Sequence, residues 1–258
     1  MTNQKEDVIQ QFGKNAYGYT VSDLHAKGKD LSLLVELAEK KGSEQLLDVA
    51  TGAGHTVNAF APYVAEAVAF DLTKEMLTEA RSLIQKNQHD NVSFVHGDAE
   101  EMPFQDDSFD IVTCRIAAHH FPDLHKFIKE VQRVLKVGGE FLLIDNTAPE
   151  LDSFDTFYNT IEKERDHSHV RAWKKSEWLA MIEQHGLELS VCHRYEKTFH
   201  FDDWCDRMKM TETEKQDLSS FINNADEEIK AKFNIKAEED RVVSFNGEAI
   251  VLKAIKSS

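Results

Sequence analysis

The chain of 258 residues reads as an α/β protein built on a doubly wound, mainly parallel sheet. Three observations predict this. The apolar run Leu46 to Ala50 suits a buried strand and is too short for a helix. It breaks at Gly52-Ala53-Gly54 and resumes as a helix-like stretch through Val57, Ala59 and Phe60. Similar short runs, Ala67 to Phe70 and Val92 to Val95, follow with an amphipathic helix between them, and each leads into an aspartate. Strand, glycine loop, helix and strand open a sheet whose ligand lies across the carboxyl ends of the strands.

The loop narrows the ligand. Gly52 and Gly54 can take positive φ and let a ligand approach bare backbone. A dinucleotide loop needs a third glycine where this chain has Val57, and the Gly-Lys-Ser/Thr of a phosphate loop is absent. Asp48, just before the glycines, would repel a pyrophosphate and suits a positive group such as an amine or sulfonium. Asp71 ends the second strand, where an acid can accept from ribose hydroxyls. Asp98 follows the third strand. Any one of these reads as a solvated loop acid; three in register with Gly-x-Gly mark one ligand edge.

Asp48-Val49-Ala50-Thr51-Gly52-Ala53-Gly54, Val68 to Leu77, Gly97-Asp98-Ala99-Glu100, Ser108 to Val112 and Glu130 to Gly139 together resemble the class I S-adenosylmethionine-dependent methyltransferases. The likeness is strongest to the branch holding the ubiquinone/menaquinone C-methyltransferases (methyltransferase type 11), and spans roughly residues 40 to 147. It implies a Rossmann-like, seven-stranded sheet with the last strand antiparallel, plus a helical lid and an insertion. It implies one methyltransferase domain over residues 1–258: a helical lid over 1–40, a cofactor-binding core over 41–147, and substrate-side helices and last strands over 148–258. The implied cofactor is S-adenosyl-L-methionine. Gly52 and Gly54 would contact its methionine part, with Ala50 standing where many members have a first glycine, and Asp48 near its amino group. Asp71 would take the ribose hydroxyls, with Leu72 beside it, and Asp98 and the Ala99 amide would take the adenine. Met76 sits near the ribose and adenine or simply in the core; Arg115 and Ile116 approach the methionine part.

The remaining elements follow in order. Residues 5 to 13 suggest a short helix, with Tyr17 to Thr20 as a hinge; the resemblance implies a lid, with Tyr17 and Tyr19 as its candidate contacts. A second helix starts at Ser22 or Asp23 and ends at Gly42. Thr73 caps the helix carrying Met76, Leu77, Ala80 and Ile84. Strand four runs Phe109 to Cys114, a helix starts at Pro122, and strand five runs Phe141 to Ile144 into Asp145 and Asn146. Residues 151 to 165 carry an apolar stripe of Phe154, Phe157, Tyr158 and Ile161; Ser176 caps a helix to His185, and strand six runs Leu187 to Tyr195. Two helices occupy residues 201 to 232, and Asn246-Gly247 turns a hairpin between the last two strands. The helical insertion before the end would shape the substrate side.

Candidate chemistry gathers after strand four. His119 and His120 are candidates for taking a proton from an acceptor; the alternative is a structural histidine bonding loop backbone. No metal is expected, because adjacent side chains rarely converge and no third ligand is in reach. Asp145 and Asn146 could orient a substrate, and the stretch Arg165 to Arg171 reads as a contact for an acidic group or as a solvated helix end. A cavity of roughly a few hundred Å³ is expected, with Phe121, Phe154, Phe157, Tyr158 and Trp173 as apolar walls. A net charge of −16 disfavours nucleic acid as partner. No run of about 18 apolar residues predicts membrane insertion. The first residues lack a signal-peptide pattern, and Cys114, Cys192 and Cys205 read as reduced thiols, so the expected location is cytoplasmic. The reading is methyl transfer to a small-molecule acceptor at O, C or N. A cofactor-binding sensor or partner subunit is the alternative; an NAD(P)-dependent oxidoreductase is disfavoured by Val57 and Asp48.

Overall fold

A computed structural model of the chain describes residues 3–20 and 28–257. Leu46 and Leu47 adjoin in β1 (Gln45–Val49), yet their side chains enter different cores. Ile111 and Val112 of β4 (Phe109–Arg115), and Leu142 and Leu143 of β5 (Leu135–Thr147), divide in the same way. Period-two alternation of apolar side chains covers both faces, which is what a doubly wound sheet requires.

With β2 (Glu66–Asp71), β3 (Val92–His96), β6 (Leu187–His200) and β8 (Arg241–Lys256), the strands follow the order β3-β2-β1-β4-β5-β8-β6. Strands β1 to β5 pair in parallel, whereas β8 runs antiparallel to both β5 and β6. This is the expected mainly parallel, seven-stranded sheet with an antiparallel last strand. A short β7 (Lys236–Glu238) adds an eighth strand on β8.

On one face lie α2 (Lys29–Leu37), α3 (His55–Phe60) and α4 (Lys74–Lys86), supplying Leu34, Val57, Phe60 and Ile84 to their core. On the other, α5 (Leu124–Val134) and α7 (Lys175–Gln184) supply Phe127, Ile128, Val131 and Trp178. A third core joins α6 (Asp152–Arg165) to α8 (Phe201–Asp206) and α9 (Glu212–Asn223) through Phe157, Tyr158, Trp204 and Leu218. With α10 (Glu227–Lys232), the insertion carries three helices among the described residues, one more than the sequence suggests.

Three further expectations need correction. The first helix, α1 (Asn3–Thr20), continues through the supposed hinge at Tyr17 to Thr20; the side chains of Tyr17 and Tyr19 lie outside the described residues. The predicted start of α2 at Ser22 or Asp23 also lies outside them. Asn246-Gly247 makes no hairpin: β8 runs straight through it, paired with Thr198 and Lys197 of β6. Glycine serves close packing there, since a Cβ would lie 2.7 Å from the Phe199 ring. The third concerns α7, which starts at Lys175; the Glu177 carboxylate accepts from the Lys174 amide at 2.8 Å, while the Ser176 hydroxyl donates to Glu150.

Helix α1 ties the sheet edge to the insertion. The Lys5 ammonium lies 2.6 Å from both Asp98 and Glu100, and Gln11 Nε2 donates to Met208 Sδ at 3.0 Å. No helix among the described residues is long and apolar enough to cross a membrane.

Candidate active site

The glycine loop is held from below by acids. Asp48 is the fourth residue of β1, beside Thr113 of β4 in the register, and it is 1% exposed. Its carboxylate accepts from Thr51 Oγ1 at 2.6 Å, Thr113 Oγ1 at 2.7 Å and the Val57 amide at 3.2 Å. Burial pushes its pKa up to about 6, against the pull of those three donors. Asp48 therefore braces the loop from inside, tying it to β4 through Thr113. It lies within the strand rather than at its end. Asp71 does end β2 and faces outward from it, accepting from the amides of Gly52 at 2.9 Å and Thr73 at 2.8 Å.

A cavity of about 140 Å³ opens above this loop. Ala50, Gly52, Asp71 and Leu72 line it from β1 and β2; Asp98 and Ala99 line it from beyond β3. Arg115 and Ile116 close it from β4, and Lys5, Val8 and Phe12 of α1 lie over it. Three residues read from sequence as ligand contacts stand behind the wall: Asp48, Gly54 and Met76. Gly54 has φ +87, and a Cβ there would lie 2.9 Å from Ala80 Cβ, so this glycine lets α4 pack against the loop. Met76 is buried on the inner face of α4. Ala50 holds φ 52, the left-handed region that a glycine would occupy without strain.

Ile116 also has a positive φ, 53°, which is unusual for a β-branched residue. Strain of that kind tends to sit at functional positions. Ile116 stands where the first cavity meets a second of about 90 Å³, and Phe12 and His120 share this boundary. The second cavity reaches from His119 and Asn146 to Lys197 and Phe199 of β6, then to Trp204, Arg207 and Met208 of the insertion.

His119 and His120 sit in one 3-10 turn (Ala118–His120) and play different parts. The Asp145 carboxylate takes both the His119 amide, at 2.9 Å, and Nδ1, at 2.6 Å. A carboxylate only accepts, so Nδ1 carries the proton and Nε2 is the ring's remaining site. Burial alone would push the His119 pKa down; the charge and hydrogen bond of Asp145 outweigh it and hold it above the ordinary 6.5. His120 donates Nδ1–H to the Ser168 carbonyl at 3.0 Å, and burial together with the neighbouring His119 pushes its pKa down to about 4. The ring of His120 thus bonds loop backbone, and that of His119 pairs with Asp145.

Other expectations for this side need correction. Phe154, Phe157 and Tyr158 fill the third core and Trp173 packs on the α5 core, so none of them lines either cavity; Phe121 does line the first. From the stretch Arg165 to Arg171, only Arg165 and Asp166 reach the second cavity. Arg165 pairs with Glu162 at 2.7 Å and stacks 4.8 Å over the Trp204 ring; Arg171 pairs instead with Asp155 at 2.9 Å. Lys5, Lys197, Trp204, Arg207 and Met208 were not singled out for the site from sequence. Only Lys197 left a signal: it alternates with Tyr195 and Phe199 on the less exposed side of β6. No group of three His, Cys, Asp or Glu able to hold a metal ion occurs among the described residues.

Comparison with known proteins matches this architecture. A family model described as a methyltransferase domain matches residues 47–143. The uncharacterized methyltransferase YcgJ of Bacillus subtilis (strain 168) is 41% identical over 246 residues, covering 95% of this chain and 97% of its own. The ubiquinone/menaquinone biosynthesis C-methyltransferase UbiE of Brucella canis is 31% identical over 168 residues, 61% of this chain and 62% of its own. The crystal structure of BH2331 from Bacillus halodurans C-125, described as a candidate methyltransferase, superposes with a TM-score of 0.88 at 57% identity, covering 90% of this chain and all of that one. With the loop, acids and sheet order in place, the chain belongs to the methyltransferase family.

Proposed function

We propose that this methyltransferase uses S-adenosylmethionine to methylate a small-molecule acceptor, with the donor in the first cavity and the acceptor in the second. The observation that carries the reading is the boundary at Phe12, Ile116 and His120, which both cavities share. The first cavity suits the donor. Around Gly52, the space that a Cβ would enter is open, so a ligand can lie on bare backbone. Asp71 and Asp98 offer carboxylates for ribose hydroxyls and an adenine amino group, while Leu72, Ala99 and Phe121 offer apolar surface. Arg115, held by Asp30 at 2.8 Å, and Ile116 would border the methionine part.

When bound, S-adenosylmethionine supplies an electrophilic methyl group. The chain supplies alignment, exclusion of water and a proton acceptor. Helix α1 covers the donor cavity through Val8 and Phe12, and Lys5 fastens it to Asp98 and Glu100. His119 Nε2 would take a proton from the acceptor, with Asp145 fixing the ring and stabilising the imidazolium. Helix α1 acts as the lid, α2 belongs to the sheet core, and the acceptor side joins Phe12, His119 and Asn146 to residues from 165 to 208.

The test is a methyl-transfer screen with radiolabelled donor over a library of small metabolites. A labelled product in the native protein, lost in His119→Ala, supports the reading. Tight donor binding with no product from any acceptor would favour the sensor.

A further inference from the structure

The second cavity is lined by three cations, Arg165, Lys197 and Arg207, in a chain of net charge −16. Its wall carries one acid, Asp166, already held by the Ser168 amide at 2.9 Å and the Ser168 hydroxyl at 2.5 Å. A chain so acidic repels anions at long range. Cations gathered around one cavity therefore need a local reason.

One of these cations is balanced from behind the wall, where Glu162 neutralises Arg165. Lys197 differs. Its ammonium makes one hydrogen bond, to Asn146 Oδ1 at 3.0 Å, and lies 5.7 Å from the centre of the Tyr195 ring. No carboxylate lies within 4 Å of it among the described residues. Lysines elsewhere in the same molecule do better: Lys175 and Lys232 both lie within 3 Å of Glu248, and Lys215 is 2.6 Å from Asp206. An ammonium has three donors, and enclosing it with donors unused is costly. Burial accordingly lowers the Lys197 pKa, while Asp30 and Asp145 at longer range oppose that fall.

We propose that Lys197 is the anchor for an anionic acceptor, a small carboxylate or phosphate monoester whose flat apolar body packs on Phe199, Trp204 and Met208. The proposal rests on the second cavity being the acceptor site, and it names the acceptor's class. An oxyanion beside Lys197 would take the unused donors and restore charge balance. Arg207, on the same wall, adds positive charge to the approach. Phe12 and Ile116 complete the apolar lining, and a cavity of about 90 Å³ admits a body the size of one ring. Held by its anion at Lys197, such a molecule would direct its far end towards Ile116 and His119, where the two cavities meet.

The experiment uses the full-length protein saturated with S-adenosylhomocysteine and follows probe binding by titration calorimetry. The probes are benzoate and phenyl phosphate, with benzamide and benzyl alcohol as uncharged counterparts. The expected result is at least a tenfold preference for an anion over its uncharged counterpart. The stronger of benzoate and phenyl phosphate then says which oxyanion the site takes. Lys197→Met should reduce the preference to less than twofold, Lys197→Arg should keep most of it, and neither should alter S-adenosylhomocysteine affinity. Equal binding of benzamide and benzoate, no binding of any probe, or a preference that survives Lys197→Met would overturn the proposal and leave donor binding standing. If S-adenosylhomocysteine itself fails to bind, the methyl-transfer reading falls and this proposal falls with it.

Discussion

The two cavities differ in how the chain builds them. Most of the first cavity comes from short segments at the ends of successive strands: the glycine loop after β1, Asp71 and Leu72 at β2, Asp98 and Ala99 after β3. Each segment is a local motif, and a parallel sheet brings strand ends to one edge without further instruction. The second cavity draws on α1, the turn after β4, the ends of β5 and α6, β6 and α8. No two of Phe12, Asn146, Lys197 and Trp204 belong to one motif; only the folded insertion brings them together. A cavity assembled in this way can change its chemistry by single substitutions while the donor loop stays fixed, which suits a family that shares one donor.

The sharpest way to break this division is His119→Ala. Loss of a general base typically costs about 10²- to 10⁴-fold in rate. Turnover with the acceptor found by the screen should fall by that order, with no change in S-adenosylhomocysteine affinity by calorimetry. A matching loss of donor affinity would show that the dyad belongs to the donor side. Because the Asp145 pair raises the His119 pKa, activity should rise with pH through a value above 6.5, as the ring gives up its proton.

Acid stability probes the acceptor side as a structure. Burial holds His120 at about 4 and His169 at about 3, below the ordinary 6.5. The unfolded chain therefore binds more protons, so their contribution is whole above pH 6.5 and is lost as pH falls towards 4 and then 3. His119 and the buried carboxyls of Asp48 and Asp71, all with raised pKa values, contribute in the opposite sense and offset part of that loss. A tenfold change in proton affinity is worth about 1.4 kcal/mol, so the net loss should be roughly 2–4 kcal/mol. Urea midpoints measured between pH 7 and 4 check this, and a flat profile would mean that the histidines are not enclosed as described.

Asp71→Ala is the donor-side counterpart. Removing an acceptor of charged hydrogen bonds should weaken S-adenosylhomocysteine binding by roughly 1.5–3 kcal/mol. Calorimetry that finds unchanged affinity would remove Asp71 from the donor site. The smallest expected effect is at Ala50. Left-handed backbone costs an L-residue about 1–2 kcal/mol, partly offset by glycine's extra entropy when unfolded. Ala50→Gly should raise stability by roughly 0.5–1 kcal/mol in the same urea titration, with donor affinity unchanged.

Legibility followed the same division. Strand runs, the Gly-x-Gly and the acids at the ends of β2 and β3 are contiguous patterns, so the sheet and most of the first cavity's wall could be read directly. For Asp48, adjacency to the glycines in sequence does not say which way a strand residue points; here its carboxylate accepts from Thr113. For Gly54, close packing and ligand contact leave the same mark in sequence, and the packing on Ala80 could not be foreseen. Asn246-Gly247 looked like a turn because turn propensity is local, while pairing with the long β6 is not. Of the acceptor side, the histidine pair was visible, but its division of labour depends on Asp145 and Ser168, which lie 26 and 48 residues away.

The most direct test of the two-cavity arrangement is a crystal structure of the full-length protein with S-adenosylhomocysteine. The ligand should lie in the first cavity, its ribose on Asp71 and its sulfur beside Ile116 and His120, with open space beyond them bounded by His119, Lys197 and Trp204. A ligand bound elsewhere would contradict this. So would a second cavity filled by Phe12, Phe199 and Met208 while the donor product is bound, since no acceptor could then reach a methyl group.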